Sequence, residues 1–173
     1  MLSEGRTAPD FSLPGVDGRD PSYFDLHRRI GDVDAALLLF VPSGHAPVCR
    51  DDLRALGGSA WGDDENVLVW PITGDTVFAN ASVAETEDLR TPLLSDYHAS
   101  IADAYGVKLG DWHAHRGVPG RALFVVDPGW TVRHAWSPED PFDAPKRSPF
   151  EGAAAALSEL GVDAPAPEVE YRV

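Results

Sequence analysis

Two short apolar runs place the strongest constraint on how this chain can fold. Ala35–Val41 is apolar at every position. In the second run, residues 66–72, only Asn66 is polar. Runs of this length, without polar alternation, are typical of strands that are buried on both faces of a sheet. The sequence therefore predicts two central strands, which need other elements packed above and below them.

The segment between the two runs predicts a helix. Pro47 suits the first helical position, because a backbone N–H there would have no partner within the helix. Leu53 and Leu56 are spaced for one helical face, and Gly57 and Gly58 favour the end of the helix. A helix between two such strands favours a parallel pair with a right-handed crossover.

The remaining sequence extends this alternation of strands and helices. Further strands are predicted at residues 8–14, 93–94, 121–127 and 130–136, and residues 22–26 are predicted as a short strand or a loop. Further helices are predicted at residues 76–87, 96–105 and 148–160. Pro128 and Gly129 predict the turn of an antiparallel hairpin near the end. The predicted class is an α/β fold with a central mixed sheet flanked by helices on both faces.

Length and composition favour one domain. The chain has 173 residues, of which 43% are hydrophobic, and this suits a single core. We assign the domain to residues 1–161. Residues 162–173 follow the last predicted helix and are predicted to form a mobile C-terminal tail.

The negative charge of the chain limits its partners. There are 28 acidic and 14 basic residues, so the net charge is −14. Nucleic acids and anionic membranes bind basic surfaces, and neither is predicted as a partner. The acidic residues are dispersed, which is typical of a solvated surface and would suit a salt-rich, halophile-type cytosol. The sequence has no apolar run of about 18 residues and no signal-type start, so we expect a cytoplasmic protein.

Cys49 is the only cysteine and the candidate redox centre. A single cysteine excludes an internal disulfide or a C-x-x-C site, and it favours a reducing compartment. If Pro47 begins the helix, Cys49 lies in the first turn, where unpaired N–H groups and the helix dipole favour a thiolate. Arg50 also favours the thiolate, whereas Asp51 and Asp52 oppose it. A small buried hydrophobe is an equally open interpretation of this cysteine.

Several motifs, in order along the chain, resemble the peroxiredoxin family of alkyl hydroperoxide reductases and thiol-specific antioxidant proteins. They are residues 5–14 with Asp17-Gly18, the loop from Phe40-Val41-Pro42 to Cys49, Leu93-Leu94-Ser95-Asp96 with Ala104-Tyr105-Gly106-Val107, and Arg121 three residues before Phe124. The resemblance covers nearly the whole chain. It implies a thioredoxin-like fold for the predicted α/β domain.

The resemblance implies a role for each matching residue. Cys49 would attack a peroxide oxygen and become a sulfenic acid, and Arg121 would hold the thiolate and the peroxide. Pro42 would shield the site from water, and Asp52 stands where the family often has a glutamate. No cofactor and no metal are implied. The reductant would be an external thiol or a thioredoxin-like protein, and a homodimer is typical of the family.

Position 46 departs from the family pattern P-x-x-x-T/S-x-x-C. Ala46 lacks the hydroxyl that hydrogen-bonds the peroxide, and losing such a bond can cost on the order of a hundredfold in rate. Ser43 or His45 could supply the missing group, although His45 is also interpreted as a loop histidine in water. Two functions stay open: a thiol peroxidase for hydrogen peroxide or organic hydroperoxides, and a weak or inactive redox sensor or binding protein. A general thiol–disulfide oxidoreductase is disfavoured by the single cysteine.

His113 and His115 lie beside Trp112 and Arg116 in a segment predicted as a loop. Two alternating histidines occur in some metal sites, but no cysteine or carboxylate set accompanies these two. A solvated loop or the rim of a substrate pocket is the preferred interpretation.

Overall fold

The protein is built around a seven-stranded sheet in the computed structural model, which describes residues 1–172. The strands are β1 (Ser12–Asp17), β2 (Asp20–Asp25), β3 (Ala35–Val41), β4 (Val67–Thr73), β5 (Leu93–Ser95), β6 (Lys108–Trp112), β7 (His115–Pro119), β8 (Ala122–Val126) and β9 (Val132–Trp136). The helices are α1 (Pro47–Gly57), α2 (Val77–Thr86), α3 (Ser100–Ala104) and α4 (Phe150–Glu159). Within residues 1–172, none of the helices combines the length and the apolar character needed to cross a membrane.

The order of the strands confirms the predicted mixed sheet. The order is β2-β1-β5-β4-β3-β8-β9, and β6 and β7 form a separate two-stranded sheet. β4 pairs in parallel with both β3 and β5, whereas β8 is antiparallel to β3 and to β9. The parallel centre follows from the crossover through α1, as the sequence predicts.

Strand β3 shows why both faces of the sheet are covered. All seven of its residues are buried. Because successive side chains point to opposite faces, the strand contributes to two cores. Its odd-numbered residues pack with α1, α2 and α4, and its even-numbered residues pack with α3 and the segment around Leu26 and Ile30.

Helix α1 begins at the edge of the sheet where β3 ends. Pro47 is its first residue, and Ala46 is the N-cap but makes no side-chain capping bond. Leu53 and Leu56 are buried in the core beneath the helix, as their spacing predicts. The carboxyl ends of β3 and β4 and the start of α1 therefore meet at one edge, where sites of open α/β sheets lie.

A hairpin, β6–β7, replaces the loop predicted around His113. Trp112 pairs with His115, so His113 and Ala114 are the two turn residues. Both have positive φ angles, of 47° and 66°. Hairpin turns with two such residues usually select Asn-Gly or Asp-Gly. The loop prediction was wrong because this turn contains none of the usual turn residues.

The C-terminal tail lies against the domain as far as residue 172. Val162 is buried, Trp61 Nε1 donates a hydrogen bond to the carbonyl of Ala164 at 3.3 Å, and the backbone N–H of Arg172 donates to Asp51 at 2.9 Å. The boundary at residue 161 and the mobility of residues 162–172 stay predictions. Residue 173, which belongs to the same prediction, lies outside the described residues.

Candidate active site

Cys49 lies in the first turn of α1, as the sequence predicts. It is the third helical residue, and its side chain is fully buried in the core. The backbone N–H of Ser43 donates a hydrogen bond to the sulfur, which favours the thiolate. The sulfur therefore lies behind the loop of residues 42–46, which connects β3 to α1.

Burial outweighs the groups that favour a Cys49 thiolate. Desolvation, followed by the nearby carboxylate of Asp52, raises the pKa of the thiol from 9.0 to about 12. The positive charge of Arg121 and the N–H of Ser43 oppose this rise but do not cancel it. In this conformation the sulfur keeps its proton at neutral pH. The helix dipole could be inferred from the sequence, whereas the extent of burial could not.

Arg121 is buried and points into the protein. The residue directly precedes β8, and only 2% of it is exposed. Its Nε donates to Asp52 Oδ2 at 2.5 Å, and its two terminal nitrogens donate to the carbonyl of Asp143 at 2.8 Å and to the hydroxyl of Tyr171 at 2.9 Å. Its charge also lowers the pKa of Cys49. The guanidinium thus acts on the sulfur through its charge while its donors bind other groups.

Tyr171 links the C-terminal tail to the Asp52–Arg121 ion pair. Its hydroxyl donates to Asp52 Oδ1 at 2.8 Å, and its ring centre lies 5.4 Å from the guanidinium carbon of Arg121. The Asp52 side chain is fully buried. Desolvation raises the pKa of Asp52, and the hydrogen bonds from Arg121 and Tyr171 oppose that rise. Tyr171 was not predicted as a site residue, because an aromatic residue in a predicted mobile tail carries no signal for a site.

Asp75 anchors the loop that connects β3 to α1. Its carboxylate accepts hydrogen bonds from the backbone N–H of Gly44 at 2.7 Å and from the hydroxyl of Ser43 at 3.1 Å. The Ser43 hydroxyl is therefore directed to Asp75. His45 is exposed, and its backbone N–H donates to Ser43 Oγ. Asp75 was also not predicted, although its place two residues after the end of the parallel strand β4 could have indicated this edge of the sheet.

A cleft of about 800 Å³ lies over the same loop. Residues at its floor are Pro42, Ser43, Ala46, Pro47 and Gly74. A side chain at position 74 would not fit, because its Cβ would lie 2.7 Å from the carbonyl oxygen of Pro42. Three predicted site residues, at positions 42, 43 and 46, therefore share one surface. The structure places Cys49 behind that surface and leaves His45 outside the cleft.

The β6–β7 hairpin forms one wall of the cleft. Trp112, His113, His115 and Arg116 all line it. The indole of Trp112 stacks on Phe142, with ring centres 4.5 Å apart and planes inclined by 15°. Within residues 1–172, no three His, Cys, Asp or Glu side chains come close enough together to hold a metal ion.

The fold and the site together define a thioredoxin-like protein with one buried cysteine at the start of a helix. The family model described as the AhpC/TSA family matches residues 5–135. The chain belongs to this family, the peroxiredoxins, and the resemblance that its motifs indicate is confirmed.

Known relatives agree with this assignment. A protein named thiol peroxidase from Leptospira interrogans is 35% identical over 136 residues, which are 76% of this chain and 75% of that protein. Alkyl hydroperoxide reductase E of Mycobacterium tuberculosis is 31% identical over 144 residues, which are 78% of this chain and 85% of that protein. The crystal structure of peroxidoxin BcpB from Mycobacterium tuberculosis covers 93% of this chain and 97% of its own, with 27% identity and a TM-score of 0.72.

Proposed function

We propose that this chain is a thiol-dependent peroxidase that reduces hydrogen peroxide or organic hydroperoxides at Cys49. The observation that carries the proposal is the position of Cys49, in the first turn of α1, within the influence of the Arg121 charge and behind the floor of a cleft. Membership of the AhpC/TSA family supports the same activity. So do the names thiol peroxidase and alkyl hydroperoxide reductase among the relatives.

The chemistry requires the sulfur, the peroxide and one proton. The Cys49 sulfur attacks the terminal peroxide oxygen, and the O–O bond breaks. The departing alkoxide or hydroxide takes up the proton that the thiol has lost, which gives an alcohol or water and a sulfenic acid on Cys49. Arg121 stabilises the negative charge that develops, and Pro42 shields the site from bulk water.

The peroxide must reach a sulfur that is buried in this conformation. Burial is the main cause of the raised pKa of Cys49. A shift of the loop at residues 42–46 that opens the sulfur to the cleft would therefore also lower the pKa of the thiol. Access and ionisation of the sulfur are thus linked in one movement.

An external thiol returns Cys49 to its starting state. Because the chain has one cysteine, the sulfenic acid condenses with a thiol of another molecule and releases water. A second thiol then reduces the mixed disulfide. A small thiol or a thioredoxin-like protein supplies these groups. The single thiol supports a cytoplasmic location, and we expect a homodimer, as is typical of the family.

A redox sensor or binding protein with little turnover is the second candidate function. Ala46 motivates it, because the floor of the cleft lacks the hydroxyl that the family pattern provides. The relatives named thiol peroxidase and alkyl hydroperoxide reductase do not favour it.

Turnover with a recycling thiol tests the proposal. Wild-type protein should consume hydrogen peroxide or cumene hydroperoxide when dithiothreitol or thioredoxin is supplied. The Cys49→Ser variant, checked for an unchanged circular dichroism spectrum, should consume neither. Equal consumption by the two proteins would contradict the proposal. Oxidation of wild-type Cys49 without turnover would favour the sensor.

A further inference from the structure

The cleft over the Cys49 loop is much larger than hydrogen peroxide requires. Its volume of about 800 Å³ is typical of pockets that enclose an organic molecule. Near the cysteine the floor is largely apolar, with Pro42, Ala46 and Pro47. A carbon-bearing peroxide oxygen is better matched to this floor than a second O–H group, since an O–H loses its hydrogen bonds to water on such a surface.

Aromatic side chains extend this apolar surface away from the cysteine. Trp112 and Phe142 both line the cleft and stack on each other at 4.5 Å. Tyr97 also lines the cleft and is 60% exposed. Rings of this kind offer flat surfaces for the carbon body of a ligand.

The hairpin wall of the cleft carries a positive charge, that of Arg116, in a chain whose net charge is −14. Arg116 lines the hairpin wall together with His113 and His115. Asp111 lies opposite Arg116 across the β6–β7 pair. Even so, within residues 1–172 no carboxylate oxygen lies within 4.0 Å of the Arg116 guanidinium. Arg116 is therefore available to a ligand.

Acidic groups oppose this charge only weakly inside the cleft. Among the described residues that line it, Asp75 alone is acidic. Its carboxylate already accepts hydrogen bonds from Ser43 and Gly44. An anionic group of a ligand that binds beside the hairpin would therefore face the Arg116 guanidinium. The Asp75 carboxylate would stay bonded to the loop of residues 42–46.

We propose that the preferred substrate is an organic hydroperoxide that bears a carboxylate, with its carbon body on the Trp112–Phe142 wall and its carboxylate on Arg116. The inference rests on the proposed peroxidase function and adds the class of substrate. The hydroperoxide end lies over Pro42 and Ala46, so Arg116 is a specificity-determining residue at the other end of the ligand.

A pair of substrates that differ only in charge tests this inference. The probes are cumene hydroperoxide with a para-carboxylate, the methyl ester of the same compound, and hydrogen peroxide. The measurement is the second-order rate constant for oxidation of Cys49 in single-turnover experiments at low ionic strength. Wild-type protein should react about fivefold to tenfold faster with the acid than with the ester, as one charge-assisted contact allows.

Variants of the hairpin identify the source of the preference. Arg116→Gln should remove the advantage of the acid, so that the rate constants for acid and ester in this variant agree within about twofold. Lys108→Gln is the matched control, because it removes a positive charge from β6 outside the lining of the cleft and should keep the preference. Asp111→Asn should increase the preference for the acid, because this substitution removes the carboxylate opposite Arg116.

The outcomes separate the substrate class from the activity itself. Equal rates for acid and ester in the wild type, or an equal loss in the Lys108 and Arg116 variants, would overturn the inference while the peroxidase function stands. Slow oxidation by all three probes, no faster than that of free cysteine, would overturn the proposed function and the inference with it.

Discussion

Ala46 has two roles at one position in the chain. It is the N-cap of α1 and part of the floor of the cleft. Alanine is a poor N-cap because its side chain accepts no hydrogen bond from the first helical N–H groups. A hydroxyl at this position would serve both the helix and a bound peroxide. The alanine at position 46 therefore weakens the start of the helix and also removes a polar contact for the substrate.

Restoring the hydroxyl should improve both properties. We expect Ala46→Thr to raise the rate of Cys49 oxidation by hydrogen peroxide by roughly tenfold to a hundredfold, and to stabilise the protein by about 1 kcal/mol. Stopped-flow oxidation and urea unfolding measure the two effects. Ala46→Val is the matched control, since it has the shape of threonine without the hydroxyl. An equal gain in the valine variant would show that the hydroxyl is not the cause.

The raised pKa of Cys49 predicts how stability depends on pH. Burial raises the pKa from 9.0 to about 12 in the folded state, so the unfolded chain loses the thiol proton first. The contribution of the protonated thiol is complete below about pH 9 and is lost as the pH rises towards 12. The difference in unfolding free energy between wild type and Cys49→Ala should therefore fall by roughly 1 kcal/mol per pH unit above pH 9. A constant difference between pH 8 and 10.5 would show that folding does not shift the pKa of the thiol, and a difference that rises with pH would show that the folded protein holds a thiolate.

The C-terminal tail contributes to the stability of the domain through the side chain of Tyr171. Tyr171 donates to Asp52 and accepts from Arg121, both of which are buried. Tyr171→Phe leaves a buried carboxylate oxygen without this donor, and hydrogen bonds to charged groups contribute about 1.5–3 kcal/mol. We expect the free energy of unfolding of Tyr171→Phe, measured by chemical denaturation, to be lower than that of the wild type by an amount of that order. Tyr23→Phe, at an exposed position of β2, should change it by less than about 0.5 kcal/mol. Equal effects of the two variants would mean that the tail does not hold the ion pair.

The elements differ in how far the sequence predicts them. β3 and α1 match their predicted bounds because an apolar run, an N1 proline and two terminal glycines all agree. The β6–β7 hairpin escaped prediction because its strands are mostly exposed and its turn uses His113 and Ala114 in a conformation that neither residue favours.

The site as a whole is less predictable than the elements that carry it. Motif spacing brings Cys49 and Arg121 to one place. The pairing of Arg121 with Tyr171 joins residues 50 positions apart, and no local pattern encodes such a contact. Burial of the sulfur is likewise a property of the assembled core, so its effect on the thiol proton could not be read from the chain.

The charge of the whole molecule predicts a response to salt. With a net charge of −14, repulsion between surface carboxylates destabilises the folded state at low ionic strength, and salt screens it. We expect the Tm to rise by roughly 2–8 °C between 20 mM and 1 M NaCl, which corresponds to a few kcal/mol at most. A variant with the exposed acids Asp17, Asp20 and Glu139 changed to amides should show a smaller rise. A Tm that does not rise in the wild type would contradict the salt-adapted surface.

The reactivity of Cys49 towards peroxide is the central claim about this molecule. Rapid mixing of the reduced protein with hydrogen peroxide or cumene hydroperoxide at pH 7, followed by trapping of the sulfenic acid with dimedone and mass spectrometry, measures it directly. The predicted result is a sulfenic acid at Cys49 that forms at least about a hundredfold faster than oxidation of free cysteine. Oxidation by both peroxides at no more than the rate of free cysteine would contradict it.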